Sequence, residues 1–280
     1  MNIGIIGLGL IGGSMAKAIK QNTAHKVFGL DLQDTIIKKA ILVGAIDEAL
    51  TDEFFPTCDL LIVALYPQAT IDFVKSHAHI IKKGALVLDC CGVKQVICRA
   101  LEPVAKENGF TFMGGHPMAG LAHAGFTHAK KALFNNASMI LTPTKGTRIE
   151  DVQKVKLFCE SIGFSNTQIS TPEEHDQVIA FTSQLAHVVS NAYIKSPSAL
   201  KHKGFSAGSY KDMTRVAKLK EDMWTELFLD NPDYLAEEID GIIERLMQYS
   251  KAIKEKDAAT LCALLKAGRE RKMQIDGEKF

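Results

Sequence analysis

The sequence predicts an α/β chain: a doubly wound, mostly parallel sheet, followed by an all-helical region. Three observations predict it. Apolar runs of strand length recur through the first half, with helix-like segments between most of them. That alternation stops near residue 170. Beyond it, helix-start signals and apolar residues at helical spacing take over. The 280 residues, 46% of them apolar, are enough for one or two domains with a sizeable core.

In chain order, Ile3–Ile6 is a strand, a glycine-rich stretch follows, and Ile11–Gln21 is a helix. Strands are then expected at Val27–Leu30, Leu60–Leu65, Ala85–Leu88, Phe110–Met113 and Ser138–Leu141. Helices are expected at Thr35–Val43, Pro67–Ile81 and Glu150–Ile162. Strands that are continuously apolar, not alternating, are buried on both faces, which is the mark of a parallel sheet covered by helices. In "STPEEHDQVIAFTSQLAHVVSNAYI", Thr171 is the N-cap, Pro172 takes the first helical position and Glu174 closes a capping box. In "GSYKDMTRVAKLKEDMWTELF", Ser209 and Asp212 form a second capping-box pattern. "NPDYLAEEIDGIIERLMQYSKAIKEK" repeats Leu235, Ile239, Ile242, Leu246 and Ile253 at helical spacing, and a last helix runs from Ala258 to about Ile275. The expected domains are residues 1–168 and 169–280.

Charge excludes several classes. With 33 basic and 32 acidic residues the net charge is +1, so nothing favours a nucleic-acid or anionic-membrane partner. The apolar start lacks a basic n-region and is too rich in glycine for a signal peptide. No stretch reaches the roughly 18 apolar residues that span a bilayer. The six cysteines form no CxxC pair and no histidine cluster has zinc-ligand spacing, so the expectation is reduced thiols in a cytoplasmic protein and no metal.

Gly7, Gly9 and Gly12 spell GxGxxG between the first strand and the first helix, and Asp31 ends the next strand 19 residues after Gly12. In that setting the first glycine permits the turn, the second admits a pyrophosphate, and the third lets helix and strand pack closely. The helix N-terminus, with Leu10 and Ile11, offers free N–H groups to the phosphates. A carboxylate at Asp31 suits two ribose hydroxyls and repels a 2′-phosphate, which favours NAD over NADP. The fold is therefore Rossmann-type.

In open α/β sheets, ligands lie beyond the carboxyl ends of the strands. "ALVLDCCGVK" leaves Asp89, Gly92 and Lys94 there, and "FTFMGGHPMAG" leaves His116 just after its strand. An imidazole so placed acts as a base or is a hydrogen-bonded loop residue. Gln184, His187 and Asn191 share one face of an apolar helix, flanked by Ser183 and Ser190, and that stripe either lines a cleft or pairs with another helix. Asp212 and Arg215 form a surface ion pair, or else Arg215 clamps a carboxylate. Trp224, the only tryptophan, reads as core by default.

Together, "GLGLIGGSMAKAIK", "DCCGVK", "HPMAG", "TSQLAH" and "YKDMTRVAK…MW" span nearly the whole chain, and in this order and spacing the sequence resembles the prephenate/arogenate dehydrogenase family of tyrosine biosynthesis. The resemblance implies NAD-dependent oxidation and decarboxylation of prephenate to 4-hydroxyphenylpyruvate. It makes His116 the catalytic histidine and Arg215 the holder of a substrate carboxylate. It places Gln184 and His187 on the substrate-binding helix, Asp212 in the active-site network and Trp224 near the cleft. Gly92 and Lys94 are expected at the substrate, and Gly7, Gly9, Leu10, Ile11, Gly12, Asp31 and Asp89 at the cofactor. Many members carry a serine where this chain has Gly92, and an acid two positions after "HPMAG", where this chain has Leu121-Ala122. The missing acid favours prephenate over arogenate. The alternatives are an arogenate dehydrogenase, or another NAD-dependent enzyme of the β-hydroxyacid dehydrogenase type. Relatives are dimers, and the long C-terminal helices offer apolar surface, so a homodimer through an all-α C-terminal dimerisation domain is expected.

Overall fold

The computed structural model describes residues 1–121 and 123–277. The chain forms two compact units. One holds Met1–Ile179 and takes back Lys218–Asn231; the other holds Ala180–Ala217 and the chain from Pro232 on. The units thus divide at Ile179, past the expected break at 168/169, and a later segment returns to the first unit.

The first unit is built on one eight-stranded sheet. Its strands are β1 (Asn2–Ile6), β2 (Lys26–Leu30), β3 (Glu48–Ala49), β4 (Leu60–Val63), β5 (Leu86–Asp89), β6 (Thr111–Pro117), β7 (Ser138–Pro143) and β8 (Asn166–Ile169). Their spatial order is β3-β2-β1-β4-β5-β6-β7-β8. All neighbours are parallel except β6 and β7, which run antiparallel with His116 opposite Ile140. The order reverses between β1 and β4, the topological switch point where such sheets bind ligands. The sheet carries two strands that the apolar runs did not indicate. β3 is only two residues long, and β8 is a polar edge strand, Asn-Thr-Gln-Ile.

The helices of this unit are α1 (Leu10–Asn22), α2 (Asp34–Leu42), α3 (Pro67–His77), α4 (Gln95–Asn108), α5 (Ile149–Ser161) and α6 (Pro172–Ile179). α4 passes through Pro103 and ends at Gly109 in a left-handed cap. Alternate residues of each central strand feed opposite faces. Ile3, Ile5, Leu60 and Ile62 join one core with Met15 and Ile19 of α1 and Phe158 of α5. Ile6, Leu61, Val63 and Val87 join the other with Ile71 and Val74 of α3 and Ile97 and Leu101 of α4. This two-sided burial is why those strands carry unbroken apolar runs.

At α6 the Thr171 half of the expected capping box forms, the Glu174 N–H donating to Thr171 Oγ1 at 3.1 Å, whereas the Glu174 carboxylate takes the Ser170 hydroxyl at 2.7 Å. The second unit has a π-helical turn at Ala180–Leu185, then α7 (Ala186–Ile194) and α8 (Gly208–Thr214). α9 (Glu221–Leu229) belongs to the first unit, and α10 (Pro232–Lys254) and α11 (Ala258–Asp276) complete the second. Ser209 does not cap α8, because the helix already starts at Gly208 and the Lys211 N–H reaches Ala207 O. Of the α10 periodic residues, Leu235 is buried, whereas Leu246 and Ile253 are both 59% exposed.

Candidate active site

The glycine turn sits at the switch point. Gly7 has φ +86°, a backbone state L side chains avoid, and a Cβ there would lie 2.6 Å from Ala64 O at the end of β4. A Cβ on Gly12 would lie 1.9 Å from Gly7 O, so α1 can approach the turn only because position 12 is bare. Gly9, which precedes α1, has nothing within 4 Å of its missing Cβ. The open side of the turn is thus where a phosphate can reach the first N–H groups of α1, Leu10 and Ile11 among them. Asp31 Oδ2 accepts from the Leu8 N–H at 2.9 Å and Oδ1 from the Gln33 N–H at 3.0 Å. A carboxylate has about four lone-pair sites, so two remain for ribose hydroxyls. These residues fit a dinucleotide.

Asp89 and Lys94 are placed differently from the expectation. Both side chains are fully buried and paired with each other. Asp89 also accepts the Cys91 and Gly115 N–H groups at 2.8 and 3.0 Å, and Lys94 donates to Gly115 O at 2.6 Å. The correction is that Asp89 and Lys94 tie β5, β6 and the start of α4 together instead of facing cofactor and substrate. Neither side chain reaches solvent.

His116 lies within β6, not in a loop after it, because β7 pairs with the strand as far as Pro117. Its Nδ1 lies 2.9 Å from His175 Nε2. His175 Nδ1 lies 2.7 Å from Asp176 Oδ1. The Asp176 carboxylate also accepts the Lys94 and Gln95 N–H groups at 2.8 Å each, capping α4 from another helix. On the other edge of the imidazole, a Cβ at Gly92 would lie 3.9 Å from His116 Nε2 and 3.3 Å from Leu227 of α9. Burial, followed by the charges of His175 and Lys94, pushes the His116 imidazole well below the usual histidine range. It is therefore neutral near pH 7 and can accept a proton. His175 and Asp176 had no marker in the sequence beyond lying in the first turns of a well-capped helix.

Trp224 is half-buried on α9, its ring 5.3 Å from that of Phe228. In the second unit, Ser190 Oγ donates to Met213 O at 2.6 Å and Asn191 Nδ2 to Ala217 O at 3.4 Å. That part of the polar stripe thus pairs with α8 and the segment after it. Gln184 is buried in the π-helical turn, a distortion frequent at functional sites. His187 is held down by burial, and the Arg215 guanidinium adds to that effect. Asp212 and Arg215 are both exposed. The structure thus groups Gly92, His116, His175 and Asp176 in one unit, and His187 with Arg215 in the other. Among the described residues, no group of three His, Cys, Asp or Glu could hold a metal ion, and no helix is long and apolar enough to cross a membrane.

Sheet order, bare glycine turn and strand-end acid define a Rossmann-type dinucleotide-binding protein. Family models narrow this further: residues 15–166 match "prephenate dehydrogenase, nucleotide-binding domain", and residues 171–267 match "prephenate dehydrogenase, dimerization domain". The chain belongs to the prephenate dehydrogenase family. It is 31% identical to the prephenate dehydrogenase of Bacillus subtilis over 95% of this chain and 74% of that protein. It superposes on the prephenate dehydrogenase of A. aeolicus, solved with hydroxyphenyl propionate and NAD+, with TM-score 0.87 at 29% identity over 98% of both chains. The Synechocystis arogenate dehydrogenase follows with TM-score 0.84 at 27% identity, over 98% of this chain and 100% of that one.

Proposed function

We propose that this protein oxidises and decarboxylates prephenate to 4-hydroxyphenylpyruvate, in tyrosine biosynthesis, with NAD as its cofactor. The observation that carries the proposal is His116: a neutral imidazole on the penultimate residue of β6, with Nδ1 engaged by His175 and Nε2 left on the Gly92 side. NAD, when bound, supplies the acceptor for the hydride from the hydroxyl-bearing ring carbon. The chain's task at the ring is the proton. His116 Nε2 takes it from the hydroxyl as the carbon is oxidised. The ring carboxylate then departs as CO2, its electron pair completes the aromatic ring, and the proton returns to the phenolic oxygen. Aromatisation makes the loss of CO2 strongly downhill, so orientation and proton removal are what the residues must provide.

Arg215 is assigned to a substrate carboxylate, which suits a planar guanidinium with two parallel N–H groups. His187, Gln184, Asp212 and Trp224 are assigned to substrate binding, and Gly7, Gly9, Leu10, Ile11, Gly12 and Asp31 to NAD. Prephenate is preferred over arogenate because Leu121-Ala122 supplies no acid to partner an ammonium; Ala122 lies outside the described residues. Exposed Ile243, Leu246, Met247 and Ile253 on α10 and Leu265 on α11 support a homodimer through this unit. Six free cysteines support a cytoplasmic location.

The test supplies prephenate or arogenate with NAD or NADP and follows reduced cofactor and CO2 together. The expected result is a kcat/KM at least tenfold higher for prephenate with NAD. Turnover of arogenate alone would move the assignment to arogenate dehydrogenase, and turnover of neither would end it.

A further inference from the structure

We infer that His175 and Asp176 are positioning residues that fix the tautomer of His116 and so aim its lone pair at the substrate. The inference rests on the reading of His116 as the base, and it adds the machinery that makes one particular nitrogen of that ring basic.

The argument runs outward from the carboxylate. Asp176 receives three N–H donors, two from the backbone at the start of α4 and one from His175 Nδ1. Its own carbonyl accepts Asn231 Nδ2 at 2.8 Å, which further fixes the residue. An ionised carboxylate only accepts hydrogen bonds, so the proton of His175 sits on Nδ1. A neutral imidazole has one N–H, and His175 Nε2 is therefore an acceptor. The group facing it at 2.9 Å is His116 Nδ1, which must be the donor. The proton of His116 is thereby confined to Nδ1, and the lone pair falls on Nε2, on the Gly92 side. The ring centroids stand 5.1 Å apart and the planes 61° apart, which is compatible with the two nitrogens meeting at the ring edges.

The same chain favours the step itself. Once His116 takes a proton, its Nδ1–H strengthens its bond to His175, whose far nitrogen rests on a carboxylate. The charged groups around this chain are few. His116 faces His175 and Lys94, and His175 faces Asp176, Asp89 and Lys94. Just past α9, Asp230 faces Glu226 and Asp176, and burial chiefly holds its carboxyl above the usual range. The Asp89–Lys94 pair is internally neutralised, so Asp176 is the uncompensated charge nearest the relay.

The experiment compares wild type with His175→Ala, His175→Gln and Asp176→Asn. Nitrogen NMR of the histidine rings in the wild-type protein should show His116 as the Nδ1–H tautomer. His175→Ala should lower kcat by about 100-fold, short of the ~10⁴-fold lost when a triad carboxylate is neutralised, with KM little changed. His175→Gln retains an amide carbonyl to accept the His116 N–H and should recover part of the loss. Asp176→Asn should lower kcat and populate both tautomers. An Nε2–H tautomer in the wild type, or an Ala variant with kcat within twofold of wild type, would overturn the inference. If a variant fails to fold, as judged by lost NAD binding, the wild-type tautomer still decides. Should the wild type ignore prephenate, the substrate reading fails while the NMR result continues to judge the relay.

Discussion

Lys94 and Asp89 form an ion pair in which neither side chain reaches solvent. Two backbone N–H groups and one carbonyl complete the cluster, so the charges are both paired and hydrogen-bonded. Removing one partner of such a pair leaves a bare charge in a low-dielectric interior, at a cost of about 3–5 kcal/mol. Lys94→Met should therefore destabilise the protein by that amount in urea denaturation. The double change Lys94→Met with Asp89→Asn should cost less than the single one, because no net charge is stranded. A single variant as stable as wild type would show that the pair holds nothing together.

The buried imidazoles set a pH dependence. Burial is the first cause lowering both His116 and His175, and Asp176 works against it at His175. A base must be neutral to act, so activity is lost only when pH falls through the depressed value of His116. The acid limb of kcat/KM should lie clearly below ~6.5, the unperturbed histidine value. Stability follows the same sign. The unfolded chain binds these protons first, so the contribution is complete above ~6.5 and declines as pH drops toward the folded values. An acid limb centred at or above the ordinary histidine value would contradict the burial seen here.

The glycine turn separates two kinds of requirement. Gly12 is bare because Gly7 O occupies the place of a side chain, whereas Gly9 faces open space. Gly12→Ala should lower the melting temperature and NAD affinity together, since α1 must be pushed off the turn. Gly9→Ala should keep the melting temperature within a degree or two yet weaken NAD binding, measured by titration, by tenfold or more. Equal melting temperatures for the two variants would remove the distinction.

The parts of this fold that were legible in the sequence are those where burial on both faces leaves an unbroken apolar run, such as Leu60–Val63, or where a cap and a proline mark a start, as at Thr171-Pro172. β8 escaped because an edge strand buries little and its residues are polar. α4 was obscured by Pro103 in its interior. The site divides the same way. The glycine turn and Asp31 are local in sequence and their order carries a mechanism. The partner of His116 is 59 residues away, on a different helix, and an unremarkable "EEHDQ" gives no hint of it. Lys94 looked available because a charged residue after a strand usually reaches solvent, and only the packing of β6 against β5 reveals where its ammonium goes.

Gly92 offers the most direct probe of the proton-accepting edge. Its φ lies outside the left-handed region, so a side chain is compatible with the backbone. A Cβ there would press on Leu227 Cδ2 at 3.3 Å, which a flexible leucine can relieve by moving a few tenths of an ångström. Gly92→Ser should therefore fold with a melting temperature near wild type. Its Cβ would stand 3.9 Å from His116 Nε2, which brings a hydroxyl within reach of the lone pair. That hydroxyl orients the imidazole or competes with the substrate for it, and either effect must register in kcat and in the acid limb. Gly92→Ala imposes the same bulk without the hydroxyl, so the difference between the two variants isolates the polar contribution. If Ser and Ala give identical kcat, KM and pH profiles, position 92 does not address the reacting proton, and Nε2 of His116 faces elsewhere during turnover.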